Sequence, residues 1–394
     1  MANLIWMVLA ILTPLAWLVP HLSGQSESMP PLAVATLSGL AIVGAAFMLS
    51  WATELAEEYV PASFALIVLA LISVLPEYAV DMHFAWMAGK DPVYREYAVA
   101  NMTGANRILI GVGWSMLVFV QYFQGRGKVL EVLPTQRLEL GFLLAATMYS
   151  LILPIKGTIS LIDTVVLFVL FGLYVWRSLK VEQHEHPLLG PAKWIADRTA
   201  SPARIAIIAV FLVYACAAIW FSAEPFAEGL IEVGKHWDVD EFVLIQLVAP
   251  LASESPEFIV AILFVLRHRG SMALGALVSS KVNQWTLLVG AIPLFYCASR
   301  GDFSPMELEA RPKEELLLTS AQSLFAVAVL ADLKFTLLEA TALFVLFVIP
   351  WLPWLQQPGM HYAFSGLYFI LALFIGLGSE MRRRQFARLL KLRG

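Results

Sequence analysis

Long apolar runs dominate this sequence and alternate with short polar links. About twelve of the runs reach the roughly 17 to 25 residues that a helix needs to cross a bilayer. The pattern therefore predicts an all-α, polytopic transmembrane helical bundle of about twelve helices. The predicted spans are 4–20, 32–51, 62–86, 98–122, 139–155, 159–177, 204–222, 241–266, 271–298, 315–331, 336–352 and 363–379.

The composition supports a membrane protein. Hydrophobic residues make up 59% of the 394 residues, charged residues only 14%, and the mean hydropathy is +0.75. Soluble proteins carry about 25% charged residues, so a soluble class is excluded. The lipid bilayer is the expected environment, and no nucleic-acid partner is expected. The two cysteines lie in separate apolar runs without CxxC spacing, so neither a disulfide framework nor a zinc site is indicated.

The placement of Lys and Arg predicts the orientation. Most basic residues fall in alternate loops and in the tail MRRRQFARLLKLRG, which favours cytoplasmic positions for both termini. The first run has no basic leader and no clear cleavage site, so we expect a retained helix rather than a signal peptide. The expected location is the cell membrane, and the sequence does not indicate an oligomeric state.

Two similar segments place a Pro-Glu pair inside an apolar run: LISVLPEYAV at 71–80 and LASESPEFIV at 251–260. A lone charged side chain at the centre of a membrane helix costs roughly 2.5 to 3.5 kcal/mol. Glu77, Glu254, Glu257 and Lys281 together would cost about 10 to 14 kcal/mol without compensation. Pairing, water or a bound ion must therefore compensate them.

The Pro-Glu segments belong to an internal repeat. The longest polar interval, 178–203, divides the chain into comparable halves, and predicted helices 2–6 and 7–11 form two units of five helices each. Because five is odd, the second half enters from the opposite side, which predicts inverted repeats. The predicted division is an extra N-terminal transmembrane helix at 1–31, a first repeat at 32–177, a cytoplasmic linker at 178–203, a second repeat at 204–354, and a C-terminal helix with a basic tail at 355–394.

Each proline is predicted to break or kink its helix near the bilayer midplane. Proline removes a backbone hydrogen bond, so Pro76 and Pro256 would leave carbonyl oxygens near Ser73 and Ser253. These oxygens and the carboxylates of Glu77 and Glu257 are hard ligands that suit calcium or sodium.

A second polar stretch follows each Pro-Glu pair: ANMTGANRILIGVG at 100–113 and GALVSSKVNQWTLLVG at 275–290. Its small residues favour close helix packing. Asn106 and Lys281 occupy equivalent places and are expected to belong to a site. Arg107 is expected to face away toward a carbonyl or an acidic partner. Asp81 could be that partner or could extend an ion path from Glu77.

These motifs resemble the sodium/calcium exchanger superfamily of cation antiporters. Its two inverted repeats carry a G-T-S-x-P-E type motif, here ISVLPE at 72–77 and APLASESPE at 249–257, followed by a G-N-x-x-G-S-N/D type motif, here ANMTGAN and GALVSSK. The resemblance implies that Glu77 and Glu257 ligate the metal ion, and that Ser73, Ser253, Asn101 and Asn106 offer further oxygen ligands.

The chain departs from the family pattern at three positions. Val74 and Glu254 replace expected small hydroxyl residues, and Lys281 stands where the second repeat would offer Asn or Asp. With the three glutamates ionised against Lys281, the site would carry a net charge of −2. Lys281 could take the place of an ion, carry a proton, or form a buried salt bridge to one of the glutamates.

The sequence therefore predicts a secondary active antiporter that exchanges Ca²⁺ for Na⁺ or H⁺, with inorganic cations as transported partners and no cofactor. Alternatives are an antiporter for another cation and a transport-inactive regulatory membrane protein. An intramembrane hydrolase is a weaker alternative, because the chain has no GxSxG, HExxH or Walker A motif. An enzyme is not expected.

Overall fold

The computed structural model describes residues 2–59, 74–180, 188–357, 359–378 and 380–389. The described residues of the first half form helices and two short strands. The helices are α1 (Ala2–Leu22), α2 (Pro31–Ala56), α3 (Leu75–Ala88), α4 (Tyr94–Ile108), α5 (Ser115–Phe123), α6 (Arg137–Ser150), α7 (Ile152–Lys156), α8 (Leu161–Ser178) and α9 (Gly190–Ala196); the strands are β1 (Val129–Glu131) and β2 (Thr158–Ile159).

The second half is likewise helical with two short strands. Its helices are α10 (Ser201–Trp237), α11 (Glu241–Leu266), α12 (Gly270–Asn283), α13 (Val289–Arg300), α14 (Ala310–Leu330), α15 (Leu337–Val348), α16 (Met360–Leu377) and α17 (Glu380–Leu389), with strands β3 (Met306–Glu307) and β4 (Lys334–Thr336). The described residues of the predicted spans are largely helical, so the prediction of an all-α transmembrane bundle is confirmed.

Seven helical segments in the described ranges are long and apolar enough to cross a membrane. They are Asn3–Leu22, Pro31–Ala56, Tyr94–Phe123, Pro134–Lys156, Leu161–Ser178, Ser201–Trp237 and Glu241–Leu266, and two shorter apolar helices lie at Leu337–Trp351 and Met360–Gly376. The predicted linker 178–203 contains α9, which sequence reasoning did not anticipate.

The chain forms two compact units. The first comprises Met1–Phe84 and Glu182–Glu257. Within it, α2 packs against both α1 and α10. Small residues bring these helices together, since Gly229 lies against the backbone of Ala35 and Gly39 lies against the ring of Phe226. Close approach of helices through glycine is the packing mode that apolar surroundings favour, because helix association in lipid depends on close contact.

The second unit comprises Ala85–Val181 and Phe258–Gly394, and two short antiparallel ribbons tie its helices together. Strand β1 pairs with β4, and β2 pairs with β3. Helix α6 begins after β1 and ends before β2, while α14 begins after β3 and ends before β4. Because the N-terminal end of each helix shares a ribbon with the C-terminal end of the other, α6 and α14 run in opposite directions. This is the relation that inverted repeats require.

A π-helical segment overlaps each second polar stretch. The segment Leu109–Trp114 joins α4 to α5, and Gln284–Leu288 joins α12 to α13. Each begins three residues after the site residue of its repeat, Asn106 in one and Lys281 in the other. Single π-helical turns inside α-helices occur frequently at functional sites. The matched positions extend the internal repeat from sequence to backbone conformation.

Gly111 allows its π-helical segment to pack closely on α15. A Cβ at this position would lie 2.8 Å from Cδ2 of Phe347 and nearer still to Cγ. We expect G111A to destabilise the protein by about 1 to 3 kcal/mol, because the Phe347 ring must leave its packed position. The measurement is the thermal unfolding midpoint in detergent. The matched control is G172A on α8, where a Cβ meets no atom within 4 Å; an unchanged midpoint in G111A would contradict this account.

Candidate ion-binding site

Glu77 lies in the first turn of α3. The helix begins at Leu75, so Pro76 occupies a position where its missing N–H leaves no intrahelical bond unmade. The chain before it, 60–73, includes Ser73 and lies outside the described residues. The predicted interruption in the first repeat and the predicted role of Ser73 therefore remain predictions.

The second Pro-Glu segment corrects a prediction. Helix α11 runs without a break from Glu241 to Leu266 and contains Pro256 in its interior. Proline cannot donate to the carbonyl four residues earlier, which belongs to Ala252. The hydroxyl of Ser255 donates to this carbonyl instead, at 3.0 Å. A neighbouring hydroxyl thus uses the freed carbonyl, and α11 has no break at Pro256.

The three glutamates of the Pro-Glu segments come together in the first unit. One carboxylate oxygen from each of Glu77, Glu254 and Glu257 lies within 4.8 Å of the other two. Glu77 and Glu254 are buried and Glu257 is partly exposed. Three oxygens at this separation can ligate one cation together, and carboxylate oxygens are the ligands that Ca²⁺ prefers.

Electrostatics explains why this cluster needs a positive partner. The negative charges of Glu254 and Glu257 both act on Glu77. Asp81 also acts on Glu77, from one turn further along α3, and its side chain is fully buried. Because Glu77, Glu254 and Asp81 are buried and Glu257 is only partly exposed, protons or a metal ion must reduce the repulsion among these acids.

Asn106 and Lys281 meet within the second unit. The ammonium Nζ of Lys281 lies 2.6 Å from Oδ1 of Asn106 and 3.3 Å from its backbone oxygen. The ammonium also lies 4.3 Å from the ring centroid of Trp285. Asn106 donates its amide N–H to the carbonyl of Met102 at 2.8 Å. The equivalent positions of the two repeats are therefore in direct contact. The ammonium of Lys281 binds the side-chain oxygen that Asn106 would otherwise offer to an ion.

The remaining predicted ligands in the described residues are Asn101 and Ser253, and both are buried. Asn101 is 3% exposed on α4, and Ser253 is 8% exposed on α11. Ser253 donates its hydroxyl to the carbonyls of Ala249 and Pro250 of its own helix, at 3.4 and 3.3 Å. Its oxygen lone pairs remain chemically able to face a cation.

Arg107 has an acidic partner, as predicted, and the partner is Glu315 of α14. Nη1 of Arg107 donates to Oε2 of Glu315 at 2.7 Å, and both side chains are 2% exposed. The guanidinium lies 5.1 Å from the ring centroid of Trp351. Nδ1 of His361 lies 3.0 Å from Oε1 of the same glutamate. Sequence reasoning considered Asp81 for this role and missed Glu315 and His361.

We expect loss of Arg107 to destabilise the second unit strongly. R107M removes the guanidinium and leaves the buried Glu315 without its strongest partner, which costs about 3 to 5 kcal/mol. The double variant R107M/E315Q should recover part of this loss, because no uncompensated charge remains. Thermal unfolding of both variants measures the difference. The control is R300M, which breaks an exposed pair with Asp302 and should change the midpoint little; equal effects of R107M and R300M would contradict the assignment.

Comparison with known proteins identifies the family. The sequence model described as "Sodium/calcium exchanger protein" matches residues 5–180 and 207–352. The crystal structure of the H⁺/Ca²⁺ exchanger CAX is 43% identical, covers 100% of this chain and 98% of that chain, and superposes with a TM-score of 0.91. No curated protein matches significantly.

Structures of the sodium-calcium exchanger NCX_Mj share the fold at lower identity. The form soaked with 10 mM Na⁺ and 10 mM Sr²⁺ is 18% identical, covers 81% of this chain and 97% of that chain, and has a TM-score of 0.55. The form soaked with 2.5 mM Na⁺ and 10 mM Sr²⁺ is 17% identical and has a TM-score of 0.53. The two matched segments, the transmembrane helices and the paired repeats agree, and the chain belongs to the sodium/calcium exchanger family.

Proposed function

We propose that this protein is a secondary active antiporter that exchanges Ca²⁺ for H⁺ or Na⁺. The observation that carries the proposal is the cluster of Glu77, Glu254 and Glu257, with one oxygen of each within 4.8 Å of the others. An acid cluster inside an apolar helical protein is a functional site by default, because its uncompensated cost is high. Membership of an exchanger family gives the cluster an ion to bind.

The cluster also supplies a physical reason for exchange. One Ca²⁺ and two H⁺ each cancel two negative charges, and both act on the same carboxylates, so their binding is mutually exclusive. A cluster that has released its ion remains negative, and moving it past apolar helices would be costly. Reorientation therefore requires either the calcium-loaded or the proton-loaded state. Alternating access between the two sides of the membrane then gives coupled exchange.

Lys281 favours H⁺ over Na⁺ as the coupling ion. Its ammonium is a fixed monovalent cation that already occupies the amide oxygen of Asn106, 2.6 Å away. Sodium would have to compete with this tethered charge for the same ligand. The 43% identical relative is described as an H⁺/Ca²⁺ exchanger, which agrees with this preference.

In this proposal the ligand roles are divided between repeats. Glu77 and Glu257 hold the divalent ion, Glu254 adds a third carboxylate, and Ser253 offers a neutral oxygen. Asn106 is engaged by Lys281 rather than by the ion. We further propose that the protein lies in the cell membrane with both termini cytoplasmic, which cysteine labelling from each side would test.

The Lys281–Asn106 pair also favours a second candidate, a transport-inactive regulatory protein. Such a descendant would keep the fold and bind cations without moving them, because the tethered ammonium blocks one ligand. Radiolabelled Ca²⁺ uptake into proteoliposomes separates the two functions. Uptake that needs an outward proton or sodium gradient establishes antiport, whereas Ca²⁺ binding without uptake by folded protein identifies the inactive alternative.

A further inference from the structure

Helix α16 of the second unit has two different faces. One face packs on α14, where the ring centroids of Tyr368 and Phe325 lie 5.7 Å apart. The opposite face exposes Ile370, Leu373 and Phe374, and Phe374 is 75% exposed. These three residues have the spacing of an apolar stripe along a helix. On an apolar helix of a membrane protein, such a stripe contacts the acyl chains of lipids.

Helix α17 turns back across one end of the second unit. Helix α16 ends at Leu377, and α17 begins at Glu380. Helix α17 packs against both α16 and α6. Nη2 of Arg137, the first residue of α6, donates a hydrogen bond to Oε1 of Gln385 at 3.3 Å, and Leu389 is buried. Helix α17 therefore connects the end of one apolar helix to the beginning of another.

This position places α17 at the boundary between water and bilayer. The segment Pro134–Lys156, which contains α6, is long and apolar enough to cross a membrane, and α16 is a shorter apolar helix. Membrane helices begin and end near the headgroups, because their terminal backbone groups need polar surroundings. A helix as short as α17 rises only about 15 Å, so it stays at headgroup level when it packs on two such ends. Basic amphipathic helices commonly lie in this layer.

The exposed side of α17 is basic. Arg383 and Arg384 are exposed, whereas Leu389 is buried against the protein. Clusters of about four to eight basic residues beside a membrane helix are typical of surfaces that bind anionic lipids. The sequence 380–394 holds one acid, Glu380, and six basic residues: Arg382, Arg383, Arg384, Arg388, Lys391 and Arg393.

The basic side of α17 follows the apolar stripe of α16 closely along the chain. Phe374 lies three residues before the end of α16 and nine residues before Arg383. A phospholipid has the same order of parts, with acyl chains in the hydrocarbon and a phosphate directly outside it. Arginine binds phosphate through two parallel hydrogen bonds. An acidic protein or a nucleic acid would match the charge of α17 but would make no use of the apolar stripe.

We propose that α17 and the adjoining end of α16 bind an anionic phospholipid. Arg383 and Arg384 hold its phosphate, and Ile370, Leu373 and Phe374 contact its acyl chains. The lipid occupies the leaflet at the end of the second unit where α16 ends and α6 begins. The site uses no residue of the acid cluster, so it does not depend on the proposed antiport function.

Lipid binding to the full-length protein in neutral detergent tests the site. The probes are phosphatidylglycerol and phosphatidylcholine with identical acyl chains, and native mass spectrometry gives the apparent dissociation constants. Wild type should bind phosphatidylglycerol about tenfold or more tightly than phosphatidylcholine, and R383Q/R384Q should lose this preference. F374A should weaken the binding of both lipids, because it removes a contact with the acyl chains alone.

The matched control is R267Q/R269Q. Arg267 and Arg269 are exposed residues of the same unit, between α11 and α12. This variant loses the same charge and should bind both lipids as wild type does. Circular dichroism checks that each variant is folded. R383K/R384K keeps the charge without the paired donors of arginine, so its affinity for phosphatidylglycerol should lie between those of wild type and R383Q/R384Q.

Three results would overturn the site. Equal weakening by R383Q/R384Q and R267Q/R269Q would reduce it to general electrostatic attraction, and wild type that does not distinguish the two lipids would contradict it directly. Glycerol phosphate without acyl chains and poly-glutamate, each at the concentration of the lipid, should not displace phosphatidylglycerol. Displacement by either one would assign the basic side of α17 to a soluble phosphate or to an acidic protein instead.

Discussion

Replacement of Glu77 or Glu257 by Gln is expected to abolish gradient-driven Ca²⁺ uptake while the protein stays folded. Each substitution keeps the size and one oxygen of the side chain but removes a negative charge from a cluster whose oxygens lie within 4.8 Å of one another. We expect Ca²⁺ affinity to fall about 100-fold or more, equivalent to about 2.8 kcal/mol. Folding should tolerate the change, because fewer buried charges then repel each other.

The measurement is radiolabelled Ca²⁺ uptake into proteoliposomes under an outward proton gradient, with circular dichroism and thermal unfolding as folding controls. E307Q is the matched control, because Glu307 lies on β3 with a side chain that is 75% exposed. It should transport as wild type does. Robust uptake by both E77Q and E257Q would remove the basis of the proposed function.

The helices were predictable because their apolar runs have bilayer length, a property that local sequence carries. The unbroken course of α11 at Pro256 was not, because the effect of a proline on a membrane helix depends on the groups around it. Ser255 supplies the hydrogen bond that Pro256 cannot make, at 3.0 Å from the oxygen of Ala252. A serine directly before a proline was the available signal, and its importance follows only from where the hydroxyl points.

The members of the acid cluster could be predicted from the sequence, because both Pro-Glu pairs occur at equivalent positions of the repeat.

The partner of Arg107 could not be predicted, because Glu315 lies 208 residues further along the chain and several acids were equally plausible by sequence. A glutamate at the start of an apolar helix was the signal that could have identified Glu315. His361 gave no signal, because a single histidine has no spacing to interpret and its contact arises from the packing of α16 on α14.

Substitution of Lys281 is expected to change the coupling ion. K281N removes the ammonium that lies 2.6 Å from Oδ1 of Asn106 and introduces an amide oxygen, which restores two neutral ligands of the kind that sodium accepts. We expect Ca²⁺ uptake driven by a sodium gradient to rise about tenfold relative to uptake driven by a proton gradient. Initial rates under each gradient in turn, at constant membrane potential, measure this ratio.

K281M is the control that separates charge from ligand supply. Methionine also removes the ammonium and frees Oδ1 of Asn106, but its thioether is a poor ligand for a hard cation. We therefore expect K281M to gain no sodium-driven exchange. If K281N and K281M behaved alike, Lys281 would act only through its charge. If both kept the wild-type ratio, the Lys281–Asn106 pair would be a packing contact, and the selection of the coupling ion would have to lie in the carboxylates alone.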